Sequence, residues 1–334
     1  MDNTPKQPLL SIIIPVYNLK EYIPICLVSI YSQGIRNDLF EVVIVDDGSK
    51  DDSWNVINHY TQIYDNIKAI RQVNAGVSAA RNRGVEECSS DYLTFLDADD
   101  EFHPKSLNSI FSLMEKYKDA DVFYFQSFIK SSDGKYKRVN DWDGRFKENV
   151  KYSSKALLYK NSFLNGGCVW GCVYSHSFFI NNRLTFAEGI VNNEDSIFNY
   201  RLLSKSPVVR FASIPFYLVT EREGSASRSD SIERVIGYAK NMEYALKMHS
   251  EGVDKFEKQV ADACLYNTIS AATNMFLNIG ERDWKKLFDI LSIASLHKLY
   301  VPWFPLNQKL KILLINISFR LYFSILVRKM STNK

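Results

Sequence analysis

The run Val42-Val43-Ile44-Val45 is apolar throughout, mostly β-branched, and ends abruptly at Asp46-Asp47-Gly48-Ser49. A strand with one face in water alternates apolar and polar residues, whereas a strand covered on both faces does not. This run therefore needs helices above and below it, and Asp52-Ser53 opens the first of them. The pattern recurs along the chain. Leu9 to Ile14 is closed by Pro15-Val16-Tyr17-Asn18 and followed by an amphipathic stretch from Glu21 to Gln33. Ile67 to Val73 is closed by Asn74-Ala75-Gly76 and followed by a helix over 77–88. Asp91 to Leu96 leads to a helix over 104–117, and Asp121 to Ile129 is a fifth strand. Strands alternating with helices make βαβ units and a parallel sheet, so the fold class is α/β. With 334 residues, 46% of them apolar, the chain can bury a large core.

In an open α/β sheet, ligands bind beyond the carboxyl ends of the strands. Here those ends carry Asn18, Asp46, Asp47, Asn74 and the cluster Asp97-Ala98-Asp99-Asp100. Three carboxylates within four residues repel one another, and burying each is unfavourable unless a cation compensates. A hard divalent ion, Mn²⁺ or Mg²⁺, shared with a phosphate-bearing ligand, meets that need. A polar turn with acidic helix caps is the plain alternative. The second acidic strand end, at Asp46-Asp47, weighs against it.

Four stretches carry a resemblance to a known family. They are Ile14-Pro15-Val16-Tyr17-Asn18, Val45-Asp46-Asp47-Gly48-Ser49-Lys50-Asp51-Asp52-Ser53, the run 74–84 (Asn74-Ala75-Gly76 through Arg81-Asn82-Arg83-Gly84) and Leu96-Asp97-Ala98-Asp99-Asp100. In order and spacing they resemble the family 2 glycosyltransferases of the GT-A fold, of the kind that build bacterial surface polysaccharides. Asn193-Glu194-Asp195-Ser196 is similar to that family's Glu-Asp motif, and the resemblance covers residues 9 to about 228. It implies a Rossmann-like, mostly parallel sheet flanked by helices, with a helical C-terminal extension. The implied catalytic domain is 1–230, with a nucleotide-sugar half to about 130 and an acceptor half from about 131, and 231–334 is the extension.

The implied reaction moves a hexose or N-acetylhexosamine, with inversion, from a UDP-linked nucleotide sugar to a hydroxyl of a lipid-linked glycan acceptor. The resemblance places the metal on Asp99, with Asp97 oriented toward metal or ribose. It places Pro15, Tyr17, Asn18, Asp46, Asp47, Asn74, Gly76, Arg81, Asp97 and Ala98 around the nucleotide sugar. Asp47 would face the base, with Asp46 as its substitute. Asp195 would be the general base, and Glu194 and Trp170 would lie toward the acceptor. An aromatic such as Trp170 suits either a sugar ring or the core beneath the cleft. Two other classes are a nucleotidyltransferase and a silent nucleotide-sugar-binding scaffold. The first usually has a Gly-rich, basic loop after its first strand, where this chain has Pro15-Val16-Tyr17-Asn18. The intact Asp97, Asp99 and Asp195 speak against the second.

The acceptor side is expected in the polar stretch Ser131 to Val150. Glu221 to Arg228 suits either a flap over a diphosphate or a solvated linker. Five scattered cysteines, Cys168-x-x-x-Cys172 among them, lack zinc spacing and read as reduced thiols. His59, His176, His249 and His297 show no ligand spacing and read as surface or packing residues, and His103 precedes a helix that leads away from the carboxylates. Pro15 and Asn18 interrupt the early apolar run, so no signal peptide is expected. The net charge of +3 conceals an asymmetry. Ile290 to Lys334 has seven Lys or Arg and no acid, which leaves −4 for the rest. Within it, 310–327 reads as an apolar helix with Asn316, Arg320, Ser324 and Arg328 along one stripe. A basic helix lying on an anionic leaflet fits that pattern, and a helix packed on the enzyme's own core is the alternative. The expected location is cytoplasmic, peripheral on the inner face of the cytoplasmic membrane, with no nucleic-acid partner.

Overall fold

The computed structural model describes residues 7–131, 135–139, 146–148, 150–159, 169–190, 193–220, 232–278, 284–294 and 297–331. The chain runs β1 (Leu10–Val16), α1 (Ile23–Tyr31), β2 (Phe40–Asp46), α2 (Ser53–Thr61), β3 (Ile67–Arg71), α3 (Val77–Glu86), β4 (Tyr92–Phe95), β5 (Glu101–Phe102) and α4 (Leu107–Lys116). It continues through β6 (Val122–Lys130), β7 (Tyr136–Arg138), α5 (Ser154–Tyr159), β8 (Cys172–Ser175), α6 (His176–Asn181), α7 (Glu194–Ser204) and β9 (Val209–Thr220). Five helices follow: α8 (Ile232–Glu251), α9 (Lys255–Asn278), α10 (Trp284–Ser292), α11 (Leu306–Ile317) and α12 (Phe319–Ser331). Two compact units result. One is Met1–Ser154, Cys168–Gly189 and Pro207–Glu223, and the other is Lys155–Gly167, Ile190–Ser206 and Gly224–Lys334.

The first unit holds the sheet, in the order β3-β2-β1-β4-β8-β6-β9-β5, with β7 on β6. The strands β3, β2, β1 and β4 are parallel, seven residues of β1 pairing with β2. β8 turns the sheet by pairing antiparallel with both β4 and β6, and β6 and β9 pair parallel beyond it. Every residue of β1 is buried, as a strand covered on both faces requires, the polar Ser11 included. Leu27 and Ile30 of α1 and Ile110 and Met114 of α4 share one core with Ile12, Ile14, Val42 and Ile44. On α3, Gly84 approaches β1 so closely that a Cβ there would lie 2.3 Å from Ile13 Cγ2.

Val209–Thr220 form one strand, β9, that runs across Pro215. Its register against β6 shifts between Tyr124 and Ser127. The irregularity accommodates Pro215, which has no N–H for a ladder.

The second unit is helical. α8 packs along α9, α7 and α10 pack on both, and α12 packs on α10 and α11. α7, with Glu194 and Asp195, packs with the C-terminal helices. Lys205 and Glu257 form an ion pair there, and Arg201 donates to Tyr244 Oη at 2.7 Å. The single helix expected over 310–327 is two, because Ser318 is extended (φ −160°) and its Oγ accepts from Leu321 N–H. Asn316, expected on one polar stripe with Arg320, bonds both the N–H and the C=O of Leu299. His249 and His297, expected as separate packing residues, meet at Asp262. Cys26, Cys88, Cys172 and Cys264 are free thiols, and Cys168 lies outside the described residues.

Candidate functional site

The ends of β1, β2 and β3 are tied together by polar bonds. Asn18, with φ 54°, donates its N–H to Ser49 Oγ at 2.9 Å and accepts Lys50 N–H at 2.7 Å. Asp46 is fully buried, accepts Ser49 N–H at 3.2 Å and pairs with Arg71 Nε at 3.0 Å. Asp47 folds the turn after β3 onto the end of β2. Its Oδ1 accepts from Gln72 Nε2 at 2.8 Å and Ala75 N–H at 2.9 Å, and its Oδ2 accepts Gly76 N–H at 2.8 Å. Asn74 Nδ2 donates to the Asp47 carbonyl at 3.0 Å. Gly48 sits so close to this turn that a Cβ would lie 2.9 Å from Asn74 N, and its φ of 72° excludes most side chains as well. Tyr17, Asn18, Asn74 and Gly76 are exposed around these bonds, and Pro15 lies buried beneath them.

At the end of β4 the three carboxylates take different environments. Asp97 is 29% exposed and pairs at 3.0 Å with Arg81 Nη2 from α3, itself only 3% exposed. The Arg81 guanidinium also lies 5.3 Å from the centre of the Phe186 ring. Ala98 is buried in the core cluster. Asp99 is half-buried. Asp100 turns inward, accepting Tyr217 Oη–H at 2.8 Å and Thr220 N–H at 2.8 Å. Burial first, then the charges of Asp97 and Asp99, push the Asp100 carboxyl up to about 8. Tyr217 Oη accepts Asp97 N–H at 3.0 Å, so one phenol links the backbone of Asp97 to the side chain of Asp100. Trp170 stacks on the Tyr217 ring, 4.9 Å between centroids at 20°. Gly171 (φ 72°) makes that turn possible, since a Cβ there would lie 2.3 Å from Ser127 Oγ.

Reading the sequence missed Tyr217. Its one local signal is a hydroxyl in the otherwise apolar run Phe216-Tyr217-Leu218. The carboxylates suit a hard divalent cation: Asp97 and Asp99 are partly exposed oxygen donors beside Asp100, whose carboxyl is raised by burial first and then by their charges.

In the second unit Glu194 and Asp195 form the first turn of α7, directly after Asn193 in the left-handed region (φ 60°). Acidic side chains are favoured there by the helix dipole. Asn192, Asp133-Gly134, Asp141 to Gly144 and Glu221 to Arg228 lie outside the described residues.

Residues 11–180, just over half of the chain, match the family model described as glycosyl transferase family 2. The chain belongs to that family. The matched span contains the ends of β1, β2, β3 and β4. Among curated relatives of this family 2 chain, glycosyltransferase GlyA of Streptococcus pneumoniae is 30% identical over 72% of this chain and 36% of its own length. The poly(ribitol-phosphate) beta-glucosyltransferase of Bacillus spizizenii is 28% identical over 64% of this chain and 33% of its own length. The family 2 chain spans between 36% and 63% of the length of the first four curated relatives it matches. Among solved structures, S. aureus TarS 1-349 in complex with UDP-GlcNAc superposes with a TM-score of 0.73 at 17% identity, covering 98% of this chain and 92% of that one. The mixed, mostly parallel sheet flanked by helices is the GT-A fold.

Proposed function

We propose that this chain transfers a hexose or N-acetylhexosamine from a UDP-linked sugar to a hydroxyl of a glycan acceptor in surface-polymer synthesis. The observation that carries the reading is the end of β4, where Asp97 and Asp99 are each partly exposed while Arg81 and the Tyr217–Asp100 link hold the turn. Asp99, with Asp97, would hold Mn²⁺ or Mg²⁺, which when bound neutralises the charge of a diphosphate leaving group. Pro15, Tyr17, Asn18, Asn74, Gly76, Arg81 and Ala98 shape the nucleotide-sugar side. Asp47 faces the base through Oδ2, which has one hydrogen bond against two at Oδ1. Asp46 is the weaker candidate, fully buried against Arg71. The acceptor oxygen forms its bond to the anomeric carbon as the bond to the diphosphate breaks, which inverts the configuration. Asp195 takes the acceptor's proton, an assignment that rests on its motif. Glu194 and Trp170 belong to the acceptor side, with Trp170 held by its stack on Tyr217.

The donor is tested by thermal shift. UDP-hexoses and UDP-N-acetylhexosamines are expected to raise the melting temperature with Mn²⁺ present and much less in chelator, since a ligand of the native state stabilises it by mass action. Slow donor hydrolysis should accompany the shift. A shift with no turnover of any donor would favour the silent scaffold, and no shift with any UDP sugar would overturn the donor class.

The tail supports a peripheral membrane location on the cytoplasmic face and a lipid-linked acceptor. Ile312, Ile315 and Phe319 are buried, so the tail packs within its unit. Its other side stays exposed: Leu306, Leu310, Leu313 and Ile317 share one face of α11, and Leu321 and Ile325 share one face of α12. Lys309, Lys311, Arg320 and Arg328 lie among them, also exposed. Among the described residues no helix is long and apolar enough to cross a membrane. The full chain is expected to sediment with anionic liposomes, less so as salt rises, because each basic residue near the surface contributes about 1 kcal/mol that salt screens. Leu313→Glu with Ile317→Glu should release it without unfolding, since both side chains are exposed. A full chain that ignores anionic liposomes at low salt would remove the membrane from this reading.

A further inference from the structure

We propose that His249, Asp262 and His297 form a second metal site, in the helical unit, for a divalent transition ion of which Zn²⁺ is the best match. The three come from three elements: the last turn of α8, the body of α9 and the segment after α10. His249 Nδ1 lies 2.8 Å and His297 Nε2 lies 2.7 Å from the same oxygen, Asp262 Oδ1. The two rings stand edge to face, 4.4 Å between centroids, and the three ligand atoms lie within 4.8 Å of one another. Asp262 is buried and both histidines are half-buried, so the carboxylate is fixed while the open side gives an ion a way in.

The donor set decides the ion. Two imidazoles and a carboxylate suit Zn²⁺ and its neighbours, whereas Mg²⁺ and Ca²⁺ prefer all-oxygen sites. Three protein ligands and one solvent-facing position are a common zinc arrangement. Without an ion, each ring must turn an N–H toward the shared oxygen, and binding replaces those two protons. The present spacing is that of hydrogen bonds. Ligand atoms around tetrahedral Zn²⁺, at about 2.0–2.1 Å each, lie roughly 3.3 Å apart, so the rings must withdraw from Asp262 by roughly half an ångström. The carboxylate is already oriented, because its other oxygen accepts Tyr300 N–H at 2.8 Å, the kind of outer bond that positions metal ligands.

The site would also secure the tail. His297 and Tyr300 both bond Asp262, and Leu299 between them bonds Asn316 of α11 through its N–H and its C=O, each at 2.8 Å. An ion here ties α8, α9 and the start of the tail together.

The test is a Zn²⁺ titration of the chelator-stripped full chain, followed by calorimetry and by melting temperature. An Asp99→Ala variant, expected to keep the metal-free fold, run in parallel separates this site from the carboxylates of the first unit. The wild type and that variant should each take up one equivalent with a Kd of about 1 µM or tighter, and each should melt at a higher temperature with Zn²⁺. His249→Gln and His297→Gln each keep an N–H donor for Asp262 but are poor ligands, so the metal-free fold should survive while affinity falls by about 100-fold or more. A wild-type chain that binds no Zn²⁺ below about 10 µM overturns the site. So does a folded pair of Gln variants that bind Zn²⁺ as the wild type does. If the Gln variants do not fold, uptake that disappears in Asp99→Ala overturns it, and uptake retained there supports it.

Discussion

Asp99→Ala is expected to lose nearly all sugar transfer and the divalent-dependent part of nucleoside diphosphate binding, with a melting temperature equal to the wild type's or higher. Three carboxylates crowd one turn, and the Asp99 charge is among the causes that raise the Asp100 carboxyl to about 8. Removing a half-buried charge from that cluster lessens repulsion, so the metal-free fold gains or holds. The same deletion takes away a ligand of the ion that stabilises the leaving group, and that loss falls on the transition state. Asp97 is a poorer probe. Arg81 is nearly inaccessible and would lose the carboxylate it pairs with at 3.0 Å, so fold and function would change together. Calorimetric titration of UDP with and without Mn²⁺, beside a transfer assay, measures both halves. Transfer by Asp99→Ala at the wild-type rate would remove the metal assignment.

Asp195→Asn is expected to lower turnover by roughly 10²–10⁴ while donor affinity changes little, the usual scale for losing a general base. The amide has nearly the same shape as the carboxylate but cannot accept the acceptor hydroxyl's proton. Asp195 lies in the first turn of α7, where an acidic side chain also interacts with the helix dipole, so the amide forgoes roughly 0.3–1 kcal/mol of stability. That is too little to unfold a helix packed on α8 and α9. Donor binding and single-turnover transfer, measured on the same preparation, separate the two effects. A fall in donor affinity with turnover intact would make Asp195 a binding residue and move the base to Glu194.

The sequence by itself determined β1, β2, β3, β4 and β6 and the acidic residues at the ends of β2 and β4. Those features are local: Ile12-Ile13-Ile14 and Val42-Val43-Ile44-Val45 are continuously apolar because both faces of their strands are covered, and Asp46, Asp47 and Asp97 to Asp100 stand at or just beyond the strand ends. The helices after each strand were legible for the same reason, since a periodicity of 3.6 shows within a dozen residues. The strands β5, β7 and β8, two to four residues long, carry no readable period and exist only through their partners in the sheet.

The tertiary structure decided how the carboxylates divide their roles. The residues Asp97, Asp99 and Asp100 look alike in the sequence. Tyr217, 117 residues beyond Asp100, draws one of them inward, and Arg81 neutralises another from a neighbouring helix. It also decided that Trp170 meets Tyr217, that the tail buries one face and exposes the other, and that His249, Asp262 and His297 converge. Each of these is a contact between residues distant in the chain. Such pairings leave no periodicity in a local window, because the fold's geometry, and not the spacing of residues along the chain, brings the partners together.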